Sequence, residues 1–167
     1  MRILGIDPGY AIVGWGVIDF QKNISKPVAF GAITTKAHTD FNFRLQQIYD
    51  NMLGIIEQFK PSVVSIEKLY FTSNKTTAIK VAQARGVILL ACQQKGIEVF
   101  EYTPLQVKTA VTGYGKAQKH QVMEMTRKLL RLKEIPKPDD TADALALAIC
   151  HTQAGSTTLR FLLNNEG

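Results

Sequence analysis

Residues 2–19, RILGIDPGYAIVGWGVID, place an acid and a Pro-Gly pair between two apolar runs. Pro and Gly favour tight turns, so the pattern predicts two strands, 3–7 and 11–19, joined through Asp7, Pro8 and Gly9. A lone aspartate at the end of a strand is either a turn residue or part of a site. The choice depends on which other acids the fold brings beside Asp7.

The length and composition favour one compact domain. A chain of 167 residues with 46% hydrophobic content buries roughly two-thirds of its unfolded surface. Apolar runs stay well below the roughly 20 residues that span a bilayer, and the first residues form a strand instead of a signal sequence. We therefore expect a soluble cytoplasmic protein with no membrane partner. Cys92 and Cys150 lie in apolar helical patterns and are expected to be reduced core residues.

The positive charge is concentrated in one segment. Residues 108–137 contain eight bases and two acids, which accounts for the whole net charge of +6. Clustered cations on an otherwise neutral domain indicate a polyanionic partner, although a solvated helix face gives the same pattern.

The remaining periodicities predict an α/β protein. A third strand at 27–35 continues the first two as a meander, and apolar spacing predicts a helix at 45–59 that ends before Pro61. The later elements alternate: strand 63–67, helix 76–95, strand 97–102, and helices 104–111, 119–132 and 141–151. Gly86 in the apolar helix 76–95 marks either a subunit contact or a central core helix.

The helix predicted at 119–132 separates its apolar and basic residues. Its core stripe is Val122, Met125, Leu129 and Leu132, and Lys119, Arg127 and Arg131 share another face.

Four acids are candidates for one site. Asp7 and Glu67 each end an apolar strand, and the carboxyl ends of strands are where ligands bind in open α/β sheets. Asp140 and Asp143 are three residues apart, on one helix face. The alternative is structural: Asp139 or Asp140 as a helix cap and Asp143 as a first-turn acid. We expect Asp139 to be the cap or to be exposed, and Asp140 to face inward.

Converging carboxylates repel one another unless a cation binds between them. The ligands of such a cation would all be carboxylate oxygens, and a site of oxygen ligands favours Mg²⁺ or Mn²⁺ over Zn²⁺.

Four stretches in order, GIDPG (5–9), IEKLYF (66–71), AQARGVILLA (82–91) and DDTADALALAICH (139–151), resemble the RuvC family of bacterial Holliday-junction resolvases, in the ribonuclease H-like superfamily. The resemblance implies a ribonuclease H-like domain at 1–154 and a C-terminal tail at 155–167. It also implies a five-stranded mixed sheet in the order 3-2-1-4-5, with strand 2 antiparallel and helices on its flanks.

The activity that the resemblance implies is metal-dependent, symmetric cutting of a four-way DNA junction by a homodimer. The products would be 5′-phosphate and 3′-hydroxyl ends, formed in recombination and repair. A RuvA-RuvB branch-migration complex is an implied partner.

The resemblance also assigns roles to residues of this chain. The catalytic, metal-binding carboxylates would be Asp7, Glu67, Asp140 and Asp143, holding two Mg²⁺ per subunit, with Mn²⁺ as a substitute. Tyr70 or Phe71 would stack at the junction centre. Lys108 and Lys119 would lie at the scissile phosphate. From the residues themselves, we expect Arg127 and Arg131 to follow the DNA backbone, and Gly9 to let the strand approach the hairpin because it has no side chain. His151 is interpreted as a helix-end residue.

Three other functions fit part of the pattern. The first hairpin is similar to the phosphate-binding hairpin of actin-like ATPases, but those need a second domain and a second phosphate loop. A non-catalytic DNA-binding module explains the basic segment and leaves the acids unexplained. A nuclease of the same fold that cuts other branched or RNA-containing substrates remains open.

Overall fold

Five strands form one mixed sheet in the computed structural model, which describes residues 1–69 and 74–154. The strands are β1 Arg2–Asp7, β2 Ile12–Gln21, β3 Ile24–Thr34, β4 Val63–Glu67 and β5 Glu98–Tyr102. Strand β1 pairs antiparallel with β2 and parallel with β4, and the sheet order is β3-β2-β1-β4-β5, so the expected topology is confirmed.

Helices cover both faces of the sheet and form two separate cores. The helices are α1 Phe41–Phe59, α2 Lys75–Gln94, α3 Pro104–Thr112, α4 Lys119–Leu129 and α5 Asp139–Thr152. Helices α1 and α2 pack on the face that carries Leu4, Ile6 and Val17. Helices α3, α4 and α5 pack on the face that carries Ile3 and Ile18. Across the described ranges, no helix has the length and apolar character needed to traverse a lipid bilayer.

Helix α5 lies unusually close to the sheet because strands β1 and β2 present glycines to it. A Cβ on Gly5 would be 1.9 Å from Ala144 O, and one on Gly14 would be 1.9 Å from Asp140 O. Residues 3, 5 and 7 of β1 point to the same face, since side chains alternate along a strand. The glycines therefore bring the first turns of α5 beside the side chain of Asp7.

Two buried hydrogen bonds fix α5 along the sheet. Ser65 on β4 donates its hydroxyl to Leu147 O at 2.6 Å, and Thr141 donates to Gly31 O on β3 at 3.1 Å. Because Ser65 and Glu67 are two residues apart on one strand, they share the face that meets α5. The bond from Ser65 thus sets where α5 stands relative to Glu67.

The prediction for helix α4 was wrong in length and in phase. The helix ends at Leu129, and Arg131 adopts a left-handed φ of 54° outside it. Arg127 donates a hydrogen bond to Leu132 O at 3.1 Å, which holds the chain in a turn after the helix ends. The buried side is Val122, Met123, Thr126 and the cap Leu130, whereas Leu129 is 43% exposed. Arg127 and Arg131 therefore do not share a helix face.

Both cysteines are buried free thiols, as expected from the sequence. The predicted C-terminal tail at 155–167 lies outside the described residues, as do Tyr70 and Phe71.

We predict that Gly14→Ala destabilises the protein, because the new methyl group would overlap the backbone of α5 where ordinary contact begins at 3.4 Å. Overpacking of this kind costs about 1–3 kcal/mol, or roughly 3–10 °C in Tm for a domain of this size. Gly54→Ala is the matched control, since a Cβ there meets nothing within 4 Å in helix α1. Thermal unfolding monitored by circular dichroism measures both; equal Tm values for the two variants would contradict the close-approach argument.

Candidate active site

A cavity of about 230 Å³ opens where the carboxyl ends of β1 and β4 meet helices α3, α4 and α5. Its charged lining comes from five elements, each of which contributes one charged side chain. Its wall is Asp7, Glu67, Asp143, Lys108 and Lys119, with an apolar part formed by Pro104, Val107, Val122, Ala146 and Leu147. The structure therefore brings together three of the four predicted acids and both predicted lysines.

The strand ends explain why two of the acids meet. Asp7 is the last residue of β1 and Glu67 the last of β4, and the preceding residues, Ile6 and Ile66, are paired in parallel register. Both acids follow buried apolar residues and point to the face that α5 covers. Asp143, in the second turn of α5, completes the group across the cavity.

Asp140 and Asp139 occupy different surroundings at the start of α5. The negative charge of Asp140 raises the pKa of both Asp7 and Asp143, so Asp140 lies close to these acids although it does not line the cavity. Asp139 points to solvent, where Lys137 Nζ donates to its carboxylate at 2.9 Å and lowers its pKa. Pro138 is the N-cap, so Asp139 is exposed and is not the cap.

The carboxylates destabilise one another's charged forms. Burial raises the pKa of Asp7 to about 8, with further increases from the charges of Glu67, Asp143 and Asp140. Burial also raises the pKa of Glu67 and that of Asp143. Carboxyl groups whose pKa values are displaced together in a cleft are typical of functional sites.

Lys119 is the cation that faces these acids. Its Nζ lies 3.1 Å from Asp143 Oδ2 and 3.9 Å from Asp139 Oδ2, and its side chain is 58% exposed. Partial burial acts to lower the pKa of Lys119, but the hydrogen bond and charge of Asp143 outweigh it and the pKa is raised. Gln118 and Gln121 form a capping box that begins α4 at Lys119, which fixes its position at the cavity mouth.

The donors around the cavity fit a hard divalent cation. Among the described lining residues, the side chains able to ligate a metal are the carboxylates of Asp7, Glu67 and Asp143, which suit Mg²⁺ or Mn²⁺ better than metals that prefer nitrogen or sulfur. Within 1–69 and 74–154, no three His, Cys, Asp or Glu side chains are grouped tightly enough to form a preassembled metal centre. The raised pKa values show, at the same time, that a cation among these acids would relieve their repulsion.

The other predicted DNA-contacting residues have varied surroundings. Arg127 donates two hydrogen bonds to Glu124, at 2.6 and 2.9 Å, and a third to Leu132 O. Arg131 is exposed beyond the end of α4. A Cβ on Gly9 would be 2.2 Å from Ile12 O, so the hairpin itself requires glycine there. Their contacts with DNA stay predictions.

Sequence reasoning missed Arg44, a residue of α1 that anchors the first hairpin through hydrogen bonds. Arg44 is 8% exposed, and its guanidinium donates to Thr35 Oγ1 at 2.8 Å and to Tyr10 O at 3.3 Å. Thr35 Oγ1 in turn donates to Tyr10 O at 2.5 Å, so the turn after Asp7 is anchored to α1. The available signal was an arginine four residues before Ile48, in phase with the apolar stripe of α1.

His151 lies in the last turn of α5, as expected, but it is buried. Its Nδ1 is 2.7 Å from Tyr102 Oη, and its ring packs against Phe100 at 4.6 Å between centroids. Burial lowers the pKa of His151, so the neutral imidazole is favoured and joins the end of β5 to α5.

Comparison with known proteins places this sheet and its acidic cavity in one family. The family described as crossover junction endodeoxyribonuclease RuvC matches residues 3–151. The RuvC of Brevibacillus brevis is 57% identical over 153 residues, covering 92% of each chain. The RuvC of Desulfitobacterium hafniense is 54% identical over 167 residues, covering 100% of this chain and 98% of the relative.

Solved structures agree with the sequence comparison. T. thermophilus RuvC in complex with a Holliday junction substrate superposes with a TM-score of 0.89 at 33% identity, over 95% of this chain and 97% of that one. The yeast mitochondrial Holliday junction resolvase Ydc2 has a TM-score of 0.66 at 13% identity, over 99% of this chain and 84% of that one, and shows a likeness in fold only.

The mixed sheet with carboxylates at the ends of β1 and β4 defines a nuclease of the ribonuclease H-like fold. Among these, both the match over 3–151 and the identities above 50% lead to one family. The chain belongs to the RuvC family of crossover junction endodeoxyribonucleases.

We predict that Asp7→Asn raises Tm, and that the gain grows with pH. The folded-state pKa of Asp7 is raised to about 8, so the folded protein retains a proton that the unfolded chain loses near pH 4. The contribution of Asp7 to the free energy of unfolding of the wild type therefore falls as pH rises from about 4 to about 8, and this loss disappears when the carboxyl is replaced by an amide.

Thermal melts between pH 4 and pH 8 in EDTA measure this gain. Added Mg²⁺ should raise the Tm of the wild type more than that of Asp7→Asn, because a bound cation stabilises only the ionised cluster. A Tm difference that stays constant with pH would show that the Asp7 carboxyl is not destabilised by its surroundings.

Proposed function

We propose that this chain resolves four-way DNA junctions by hydrolysing a phosphodiester bond in the acidic cavity, leaving 5′-phosphate and 3′-hydroxyl ends. The observation that carries the proposal is the convergence of Asp7, Glu67 and Asp143 with Lys108 and Lys119 in one cavity. Membership of the RuvC family supplies the reaction class. The related structure contains a Holliday junction substrate, which supports branched DNA as the substrate here.

The proposed ligands for metal are the four carboxylates. The negative charges of the other three carboxylates raise the pKa of Asp7, and Asp7 would be shared between two ions. Glu67, Asp140 and Asp143 would complete the coordination of these ions. Mg²⁺, or Mn²⁺ in its place, supplies charge neutralisation of the phosphate and a more acidic water when bound.

The lysines and the apolar wall act directly on the DNA strand. Lys119, more than half exposed beside Asp143, offers its ammonium group to a non-bridging oxygen of the scissile phosphate. Lys108 lines the same cavity from α3 and neutralises the adjacent backbone. Val107, Val122 and Leu147 reduce the water around these charges, which strengthens their interaction with phosphate.

A second copy of the chain would supply the second cut. Helix α2 has a solvent-facing stripe that includes Ile79, 57% exposed, and Leu90, 50% exposed, with Gln83 and Gly86 between them at helical spacing. A Cβ on Gly86 would meet nothing within 4 Å, so the helix backbone is accessible there. We propose that two copies pair through this stripe, in keeping with symmetric cutting by a homodimer.

The cytoplasm, where chromosomal DNA is found in bacteria, is the proposed location. A RuvA-RuvB branch-migration complex stays a predicted partner. Cutting of other branched or RNA-containing substrates is the second candidate function, which the substrate comparison below also tests.

We predict symmetric nicks in a synthetic four-way junction with Mg²⁺, and none in EDTA or in a plain duplex of the same sequence. Gel analysis of end-labelled strands, with phosphatase treatment to identify the ends, measures the products. A flap and an RNA–DNA hybrid belong in the same series. Faster cutting of either one than of the junction would favour the second candidate function.

We predict that Asp140→Asn reduces junction cutting by about 10²–10³-fold, the loss typical of removing one transition-state contact. Asp139→Asn is the matched control, because Asp139 pairs with Lys137 at 2.9 Å, lies 3.9 Å from Lys119, and is not among the charges that raise the pKa of Asp7. Junction binding in EDTA should be retained by both variants, since removing a negative charge does not weaken attraction to DNA. Equal activity of the two variants would remove Asp140 from the ligand set.

We predict that Leu90→Glu shifts the protein from dimer to monomer in sedimentation equilibrium, because it places two charges in an apolar contact. The control is Ile24→Glu on edge strand β3, where the side chain is 51% exposed. A dimer that persists in Leu90→Glu would mean that another surface pairs the subunits.

A further inference from the structure

The loop between α3 and α4 holds a tyrosine in solvent on a fixed backbone. Tyr114 is 57% exposed and stands between two glycines. Gly113 has a φ of +74°, which other residues rarely adopt, and a Cβ on Gly115 would be 2.6 Å from Leu105 Cδ1. The sequence around Tyr114 is therefore constrained by the loop, whereas its own side chain is not required for packing.

Hydrogen bonds fix both backbone groups of Tyr114. Thr112 Oγ1 donates to Lys108 O at 2.7 Å and accepts from Tyr114 N at 3.1 Å. Ala117 N donates to Tyr114 O at 3.0 Å. A ligand that contacts the ring would not have to order this backbone, which removes one of the main costs of binding.

The tyrosine ring borders a groove of about 370 Å³ along α4. The groove combines apolar surface with hydrogen-bonding and charged side chains. Its lining is Thr112, Tyr114, Ala117, His120, Gln121, Glu124, Met125 and Lys128. The α4 residues of the groove are on the side of the helix opposite Lys119 and Val122, which line the acidic cavity.

The charge available in the groove is positive. Glu124 accepts two hydrogen bonds from Arg127, from Nε at 2.9 Å and from Nη2 at 2.6 Å. Lys128 Nζ is 4.0 Å from the same carboxylate, and its side chain is 60% exposed. His120 is exposed at the same groove. An aromatic wall beside an exposed ammonium group matches a nucleotide, whose base stacks and whose phosphate is anionic.

We propose that this groove binds one nucleotide of the junction strand beyond the scissile phosphate, with its base on Tyr114 and its phosphate at Lys128. The proposal rests on the proposed function, since the strand must reach the groove from the acidic cavity. Helix α4, roughly 10–12 Å across, separates the two places. Tyr114 thus sets how the strand leaves the active site.

A scan with the fluorescent base 2-aminopurine tests the stacking. The analogue is placed at successive positions on both sides of the cut in a four-way junction, and quenching is measured in EDTA with wild type, Tyr114→Ala and Tyr114→Phe. The wild type and Tyr114→Phe should quench one position on one side of the cut. Tyr114→Ala should lose this quenching and raise the Kd roughly 5- to 100-fold.

Phe43→Ala is the matched control, because Phe43 is 52% exposed on α1, across the sheet from the groove. It should leave both the quenching and the Kd unchanged.

The outcomes separate this proposal from the function on which it rests. Unchanged Kd and quenching in Tyr114→Ala, with a wild type that cuts the junction, would overturn the groove alone. Position-specific quenching by a wild type that cuts nothing in Mg²⁺ would support the groove and overturn the nuclease activity. A wild type that does not bind the junction would overturn both.

Discussion

The close contact between helix α5 and the glycines of β1 and β2 is the constraint on which the site depends. An ordinary helix-on-sheet spacing leaves room for side chains between the two layers, but Gly5 and Gly14 have none, and backbone meets backbone. This contact brings Asp140 and Asp143, far along the chain, to the carboxylate that ends β1. The hydrogen bond from Ser65 to Leu147 O then fixes the sliding of α5 relative to Glu67. The fold thus supplies a position that no local sequence preference encodes.

That position is unfavourable for the acids themselves. Burial and mutual repulsion raise the pKa of Asp7, and burial raises that of Glu67 and Asp143, so the folded chain carries these groups at a loss of stability. Lys119 offsets part of the repulsion through Asp143. Groups held in a destabilised state by the rest of the fold are characteristic of functional sites. The surrounding core, not the site, must therefore provide the stability that the site lacks.

The strand order was implied by the resemblance to the RuvC family, whereas the proximity of Asp7 and Glu67 was predictable from the residues themselves, because each acid ends an apolar run and α/β sheets gather such ends at one edge. The phase of α4 was not. Its apolar residues fit two stripes one residue apart, and the choice was made by Arg127, which closes the chain on Leu132 O and ends the helix early. Arg44 was missed for a related reason: a polar residue in an apolar stripe signals a buried contact, but its partners, Thr35 and Tyr10, come from other elements. Periodicity describes which face is buried, and tertiary hydrogen bonds decide where an element stops.

The basic segment, residues 108–137, shows that not every cation counted in a sequence is available to contact DNA. Its excess of +6 suggests a uniform attraction for DNA, yet the structure divides these cations into separate tasks. Arg127 forms an ion pair with Glu124 at the protein surface, and Lys137 forms one with Asp139. Lys108 and Lys119 belong to the acidic cavity, while Lys128 stands on the far side of α4. Arg127 and Lys137 are already neutralised by these partners, so the salt dependence of binding is expected to report fewer phosphate contacts than the sequence charge implies.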